Sequence, residues 1–274
     1  MKIALYIRDR NKDVEALLKR LREKGATLVC FGDDFSSWED LPDDTELFLS
    51  LGGDGTFLQS LTFVRDRGIP VAGINFGRLG FLTTARADDV DTWIDDLLGG
   101  RFTVEERSLL RVTCAGLPDD FYPYALNEVS LQRQGASMLA VQVRVEGREL
   151  PTYWADGLVV ATPTGSTAYN LSVGGPVVLP CSAVNVIAPI APHNLNVRPL
   201  VVPVDAALEL TFHSREECAL LTLDNRSCLL PSGTTVSLSR GRYGLRYVSL
   251  SDNNFIGALR TKLLWGEDRR NANL

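Results

Sequence analysis

Three kinds of feature are missing from this sequence, and each absence narrows its function. The five cysteines are scattered, none forms a CxxC pair, and only two histidines accompany them, so a zinc site is not expected. The net charge is −6 and no long basic run occurs, which argues against nucleic-acid binding. No stretch is long and apolar enough for a membrane span, and the apolar run that ends at Ile7 is too short for a signal sequence.

The remaining composition is that of an ordinary globular protein. Hydrophobic residues make up 45% and charged residues 23% of the sequence, as in ordinary soluble proteins. The length of 274 residues is enough for one large or two ordinary domains with a hydrophobic core. The odd, unpatterned cysteine count indicates reduced thiols. We therefore expect a cytoplasmic protein.

Apolar strands alternate with helices over the first hundred residues. Strands are predicted at 2–7, 26–31, 46–51 and 69–74, and helices at 13–24, 56–67 and 88–98. This alternation predicts a Rossmann-like α/β domain with a parallel sheet. Ligands of such sheets bind at the carboxyl ends of the strands, where the glycine-rich turns 52–55 and 75–81 are expected to lie.

Helical periodicity nearly vanishes after residue 107, and short strands take over. They are predicted at 124–132, 139–145, 157–162, 183–188, 208–212, 235–239 and 245–249. We therefore expect an all-β domain over 108–251. Phe255, Leu259, Leu263 and Leu264 then fall at helical spacing, so a C-terminal helix over 252–274 is expected to return to the α/β domain of 1–107.

Asp54 stands among three glycines where a predicted strand ends and a helix begins. Gly52, Gly53 and Gly55 would permit close backbone approach, and the unpaired N–H groups of the first helical turn suit phosphate. Phosphate repels a carboxylate unless a metal lies between them or the carboxylate has a chemical role. The alternative is a tight turn in which Asp54 is only the N-cap. The segment is neither a Walker A loop nor a GxGxxG fingerprint.

A buried strand runs into a hydroxyl-rich turn over 156–170. Five side-chain hydroxyls occur within eight residues and offer neutral donors for a polar ligand. They belong to Thr162, Thr164, Ser166, Thr167 and Tyr169. The Tyr169 ring would also offer a face to an aromatic base. The alternative is a turn that caps a helix beginning at Ala168.

Asn127 and Glu128 interrupt a predicted strand with two residues that strands disfavour. A carboxyl next to an amide can both accept from and donate to adjacent ribose hydroxyls. The alternative is a solvated strand face. Arg78 and Arg198 are candidates for neutralising phosphate, although each alone is more typical of an ordinary surface charge. His193 lies in a loop, where a single histidine is usually structural or solvated.

These segments together resemble the NAD kinase family. The resemblance rests on residues 52–56, 77–81, 127–128 and 156–170 and covers nearly the whole chain; the block around Ser166 and Tyr169 is its most specific part. From the glycine turn and the charge of Arg78, we expect Gly52, Gly53, Thr56 and Arg78 to contact phosphate or ATP. The resemblance implies that Asp54 is the catalytic residue. It implies that the NAD pocket is formed by Gly55, Phe81, Asn127, Glu128, Asp156, Thr164, Thr167, Ala168, Tyr169 and Ser172.

The family implies phosphorylation of the adenosine-ribose 2′-hydroxyl of NAD by ATP, or in some members by polyphosphate, with Mg²⁺ as cofactor. The resemblance assigns no direct protein ligand to the metal. Homodimers or homotetramers are implied, with no membrane or nucleic-acid partner. The chain departs from the family pattern at Asp224-Asn225-Arg226, where many members have Asp-Gly-Gln. Two alternatives stay open: a kinase of a lipid or sugar hydroxyl, and a dinucleotide sensor without phosphoryl transfer.

Overall fold

A computed structural model describes residues 1–76, 80–83, 90–249 and 255–264. The first part of the chain contains β1 (Lys2–Ile7), α1 (Lys12–Glu23), β2 (Thr27–Cys30), β3 (Leu47–Leu51), α2 (Asp54–Val64), β4 (Val71–Ile74), α3 (Val90–Leu98) and β5 (Thr103–Arg107). The middle part contains β6 (Leu110–Thr113), β7 (Tyr124–Ala125), β8 (Glu128–Arg133), β9 (Leu139–Val145), β10 (Arg148–Glu149), β11 (Tyr153–Ala155), β12 (Gly157–Ala161), α4 (Tyr169–Ser172), β13 (Val184–Ile190), β14 (Leu200–Pro203), β15 (Leu208–His213), β16 (Cys218–Leu223), β17 (Arg226–Pro231) and β18 (Thr235–Arg240). The last part contains β19 (Leu245–Ser249) and α5 (Phe255–Leu263).

The first compact unit comprises Met1–Glu106 and Arg246–Leu274. Its six-stranded sheet has the order β2-β1-β3-β4-β19-β5, and the pairs from β2 through β19 are parallel. Helix α1 buries Val14, Leu17, Leu18 and Leu21 in this unit's core, as its spacing predicts. Helix α3 buries Val90, Trp93, Ile94 and Leu97 in the same way. Within the described ranges, none of the helices has the length and apolar character to span a membrane.

The second compact unit, Arg107–Leu245, is built from two sheets around one core. One sheet has the order β10-β9-β15-β18-β6-β7, with β11 beside β9, and the other has the order β14-β13-β12-β8-β16-β17. Their strands pair antiparallel. The predicted fold class, an α/β domain followed by an all-β domain with a C-terminal helix that returns to the first, is confirmed.

Strand β19 was predicted in the all-β domain, and that assignment is wrong. It joins the parallel sheet of the first unit, where Tyr247 pairs with Val71 of β4. Four of its five residues are buried, as is typical of a strand covered on both faces. The length and composition of a short strand do not reveal its distant partner, which explains the error.

The single strand predicted over 124–132 is also wrong. The chain forms β7 and β8 there, and these two strands belong to different sheets. Asn127 therefore lies at a break between sheets rather than inside a strand. The sequence reading also missed β14 and the hairpin of β16 and β17, whose turn contains Asp224.

Candidate active site

Asp54 is the first residue of α2, and its carboxylate binds the second glycine-rich turn. Its Oδ2 accepts a hydrogen bond from the N–H of Phe81 at 2.7 Å, and its Oδ1 accepts one from the N–H of Leu82 at 3.1 Å. Gly53 is the N-cap residue, so the alternative in which Asp54 only caps the helix is wrong. The two turns that follow β3 and β4 therefore meet at this carboxylate, as expected for the carboxyl ends of adjacent parallel strands.

Close approach to Asp54 requires glycine at position 80. A Cβ built there would overlap the Asp54 carboxylate. The N–H of Gly80 donates to Thr83 Oγ1 at 2.8 Å, which holds the turn in place. Two backbone amides thus orient the Asp54 carboxylate. Because a carboxylate has about four lone-pair positions, it can still accept further hydrogen bonds.

The other phosphate candidates of this unit surround the start of α2. Thr56 is buried, and the N–H of Gly52 donates to Ile74 of β4 at 2.8 Å. Phe81 packs its ring against Phe255 of α5, with ring centroids 6.1 Å apart, and Lys262 Nζ lies 4.3 Å from the Phe81 ring centre. Arg78 lies outside the described residues.

Asn127 and Glu128 present buried polar atoms at the break between β7 and β8. Neither Asn127 Oδ1 nor Glu128 Oε2 has a hydrogen-bond partner among the described residues. The backbone around them is fixed, because Asn127 O accepts from the N–H of Thr162 at 2.9 Å and Thr162 Oγ1 donates to Leu126 O at 2.5 Å. A Cβ at Gly165 would overlap the Asn127 backbone, so this turn packs directly on the pair. Buried polar atoms of this kind are costly unless a ligand or water completes them.

Burial, reinforced by the charge of Asp224, raises the pKa of Glu128 to about 8. The backbone amide of Tyr169 opposes this shift. The raised pKa favours the protonated form of the Glu128 carboxyl, which can donate one hydrogen bond while accepting others. The same surroundings act on Tyr169, whose pKa is raised by burial and then by the charges of Glu128 and Asp156. Glu128, Tyr169 and Asp156 thus belong to one electrostatic neighbourhood.

The raised pKa of Glu128 predicts how stability depends on pH. Glu128 ionises near 4.5 when unfolded and near 8 when folded, so its contribution is fully present below about pH 4.5 and is lost as the pH rises through about 8. Compared with a Glu128→Gln variant, the wild-type protein should lose up to a few kcal/mol of unfolding free energy across that window. Denaturant melts of both proteins at several pH values check this. A difference that does not change with pH would contradict the shifted pKa.

Three of the five hydroxyls predicted to face a ligand instead make hydrogen bonds inside the protein. Thr167 Oγ1 donates to Thr164 O at 3.5 Å. Thr162 Oγ1 donates to Leu126 O and accepts from the N–H of Gly165. Ser166 Oγ donates to Val178 O at 3.1 Å and accepts from the N–H of the same residue at 3.0 Å. The Thr162 and Ser166 side chains are both buried.

The other pocket candidates line the remainder of the turn. Thr164 is buried, Thr167, Ala168 and Tyr169 are half-buried, and Ser172 is exposed. The helix expected from Ala168 is the single turn α4.

Asp156 forms an ion pair with Arg133 that the sequence reading missed. Arg133 Nε lies 2.7 Å from Asp156 Oδ1, and both side chains are about one-third exposed. Arg133 ends β8, the strand that Glu128 begins, and Asp156 precedes β12, which pairs with β8. The sequence shows an Arg at the end of one strand and an Asp just before another. Their ion pair could be predicted only if the pairing of these two strands were already known.

Arg198 and His193 make hydrogen bonds to nearby backbone carbonyls. The Arg198 guanidinium donates to Leu195 O and Val197 O, and the backbone N–H of His193 donates to Trp154 O. Among the described residues, no group of three or more His, Cys, Asp or Glu side chains could hold a metal ion.

The first unit carries an oriented carboxylate and the second a buried amide–carboxyl pair, and both kinds of group occur in nucleotide-dependent phosphotransferases. Family models identify which family of these enzymes the chain matches. The ATP-NAD kinase N-terminal domain model matches residues 37–102, and the ATP-NAD kinase C-terminal domain model matches residues 126–250. The chain therefore belongs to the ATP-NAD kinase family, which transfers phosphoryl groups to an alcohol acceptor.

Individual relatives agree with the family assignment. The NAD kinase of Flavobacterium psychrophilum is 41% identical over 240 residues, covering 86% of this chain and 82% of that protein. The NAD kinase of Bacteroides fragilis is 40% identical over 271 residues, covering 93% of each chain. The resemblance inferred from the motifs is confirmed.

Solved structures share the fold. An NAD kinase from Archaeoglobus fulgidus in complex with ATP matches with a TM-score of 0.80 and 28% identity, over 95% of this chain and 99% of that one. Yeast NADH kinase complexed with NADH matches with a TM-score of 0.88 over 98% of this chain and 89% of that one. At 22% identity, the yeast enzyme is evidence for the fold alone.

Proposed function

We propose that this protein transfers the γ-phosphoryl group of ATP to the 2′-hydroxyl of the adenosine ribose of NAD, forming NADP. The observation that carries this proposal is the pair of buried polar atoms, Asn127 Oδ1 and Glu128 Oε2, which have no hydrogen-bond partner in the part of the chain that the structure describes. Ribose hydroxyls complement them, since each hydroxyl can donate to the amide oxygen or exchange hydrogen bonds with the carboxyl. Family membership supplies the nucleotide chemistry that such a site would serve.

Asp54 acts on the accepting hydroxyl. The O–H proton passes to the Asp54 carboxylate, the ribose oxygen forms a bond to the γ-phosphorus, and the bond from that phosphorus to the bridging oxygen breaks to release ADP. The amides of Phe81 and Leu82 orient the carboxylate before the substrate arrives. No large motion of this side chain is then needed for it to meet the proton.

The remaining candidates bind and orient the two nucleotides. Gly52, Gly53 and Thr56, with Arg78, contact the phosphates at the start of α2. A Mg²⁺ ion bound to those phosphates would offset their charge. Gly55, Phe81, Asp156, Thr164, Thr167, Ala168, Tyr169 and Ser172 line the dinucleotide pocket. We further propose a cytoplasmic homodimer or homotetramer.

A product assay tests this function. The purified protein, with Mg²⁺, is given NAD⁺ and either ATP or polyphosphate, and NADP⁺ is measured with an NADP-specific dehydrogenase. We expect NADP⁺ with at least one of the two donors. Phosphorylation of a lipid or sugar alcohol in place of NAD would support the first alternative, and NAD binding without turnover at any donor would support the sensor.

A further inference from the structure

Asp224 lies in the turn between β16 and β17 and binds the backbone of the Asn127–Glu128 pair. Its Oδ2 accepts from the N–H of Leu126 at 2.9 Å, and its Oδ1 accepts from the N–H groups of Asn127 at 2.7 Å and Glu128 at 3.3 Å. The Asp224 side chain is wholly buried. The Asp224 carboxylate therefore accepts hydrogen bonds from three successive backbone amides, and two of these belong to Asn127 and Glu128.

This arrangement falls where the chain leaves one sheet and enters the other. Strand β7 ends at Ala125 and β8 begins at Glu128, so the amides between them need partners outside the regular ladders. Asp224 supplies these partners, and its own N–H donates to Glu128 O at 3.0 Å. Hydrogen bonds from amides to an ionised carboxylate are stronger than neutral ones, so this contact fixes the break firmly.

Arg226 extends the same contact to the preceding strand. Its guanidinium lies 3.5 Å from Asp224 Oδ2 and donates to Tyr122 O at 2.7 Å and to Tyr124 O at 2.6 Å. The Arg226 side chain is only 15% exposed. Arg226, where many family members have Gln, is thus mostly buried and hydrogen-bonded inside the protein. The β16–β17 hairpin therefore contacts the chain on both sides of the break between β7 and β8.

We propose that Asp224 is the positioning residue of the NAD site: it fixes the backbone of Asn127 and Glu128 where they meet the ribose, and its carboxylate acts electrostatically on the Glu128 carboxyl. This inference rests on the proposed function, because it assigns NAD to the pair. Asp224 itself does not touch the ligand and acts through its neighbours.

The charges around Glu128 support the second half of the proposal. The charge of Asp224 acts on Glu128, Arg226 forms an ion pair with Asp224, and Tyr169 interacts electrostatically with both Glu128 and Asp156. Burial raises the pKa of Asp224, while Arg226 and the three amides oppose that shift. The Asp224 carboxylate accepts N–H donors at both oxygens and lies 3.5 Å from the Arg226 guanidinium. Its charge then adds to burial in raising the pKa of Glu128.

The test compares Asp224→Asn with Asp205→Asn in the full-length protein. Asp205 is a matched control, since it is an exposed carboxylate of the same unit that pairs with Arg240. NAD binding is measured by calorimetry from about pH 6 to about pH 9, with folding checked by circular dichroism. In Asp224→Asn, an NH₂ group replaces one acceptor of the three amides, so we expect NAD binding to weaken by at least ~10-fold. NAD affinity should fall at alkaline pH as Glu128 loses its proton, and we call this fall the alkaline limb. In Asp224→Asn the alkaline limb should lie at lower pH, whereas Asp205→Asn should match the wild type.

The alkaline limb separates positioning from simple destabilisation. A folded Asp224→Asn variant with wild-type affinity and an unmoved limb would overturn the inference. If Asp224→Asn does not fold, Glu128→Gln decides the point, because glutamine cannot titrate and its binding curve should lack the limb. A limb that persists in Glu128→Gln would overturn the role given to Glu128 protonation. Failure of the wild-type protein to bind NAD at any pH would instead overturn the proposed function.

Discussion

An Asp54→Asn variant is expected to bind NAD within several-fold of the wild-type affinity but to turn over at least ~100-fold more slowly. Asparagine has nearly the same shape but cannot accept the hydroxyl proton. Its one carbonyl oxygen can keep a single hydrogen bond of the two that Phe81 and Leu82 now make. Turnover is measured by NADP⁺ formation and affinity by calorimetry.

Asp66→Asn is the matched control for this prediction. Asp66 is an exposed carboxylate just beyond the end of α2, the helix that Asp54 begins. The control should retain wild-type turnover and affinity. Near-normal turnover in Asp54→Asn would remove Asp54 from the chemical step.

A Gly80→Ala variant is expected to lower turnover by about 10- to 100-fold, because small misplacements of a catalytic group carry large rate penalties. The added Cβ would overlap the Asp54 carboxylate, so either that side chain or the turn must move. NADP⁺ formation gives the rate, and thermal melting gives the cost to stability.

A double-mutant cycle isolates the cause of the Gly80→Ala effect. Replacing Asp54 by alanine removes the carboxylate that the new Cβ would meet. Gly80→Ala should therefore lower the melting temperature in the wild-type background but much less in an Asp54→Ala background. Equal losses in both backgrounds would show that the overlap with Asp54 is not the cause.

The parts of the fold that depend on local patterns could be predicted from the sequence. Val14, Leu17, Leu18 and Leu21 fall on one helical face, and the structure buries all four. The glycine-flanked Asp54 likewise follows a strand and begins a helix, where the sequence places it. Each of these features is decided by residues within a few positions of one another.

The features that could not be predicted depend on partners distant in sequence. Asp224 is 97 residues from Asn127, yet its carboxylate binds the amides where the predicted strand 124–132 breaks. Strand β19 looked like its neighbours in the all-β domain, and only its pairing with Val71 places it in the parallel sheet. Arg133 was overlooked for the same reason, since its partner Asp156 lies on a separate strand connection.

The hydroxyls of 162–170 show a further limit of composition. A cluster of Ser and Thr indicates hydrogen-bonding capacity but not its direction. The hydroxyls of Thr162 and Ser166 donate to the carbonyls of Leu126 and Val178 and thereby hold the turn against Asn127. Their contribution to the site is therefore the position of the Asn127–Glu128 pair.

The most direct test of the account compares NAD with its 2′-deoxyadenosine analogue as acceptors, using ATP and Mg²⁺ and following phosphorylated product by mass spectrometry. The analogue lacks only the hydroxyl that Asp54 is proposed to deprotonate and that Asn127 and Glu128 are proposed to hold. We predict a singly phosphorylated product from NAD and none from the analogue. Phosphorylation of the analogue at a rate comparable to that of NAD would contradict the account, because the phosphoryl group would then be accepted elsewhere.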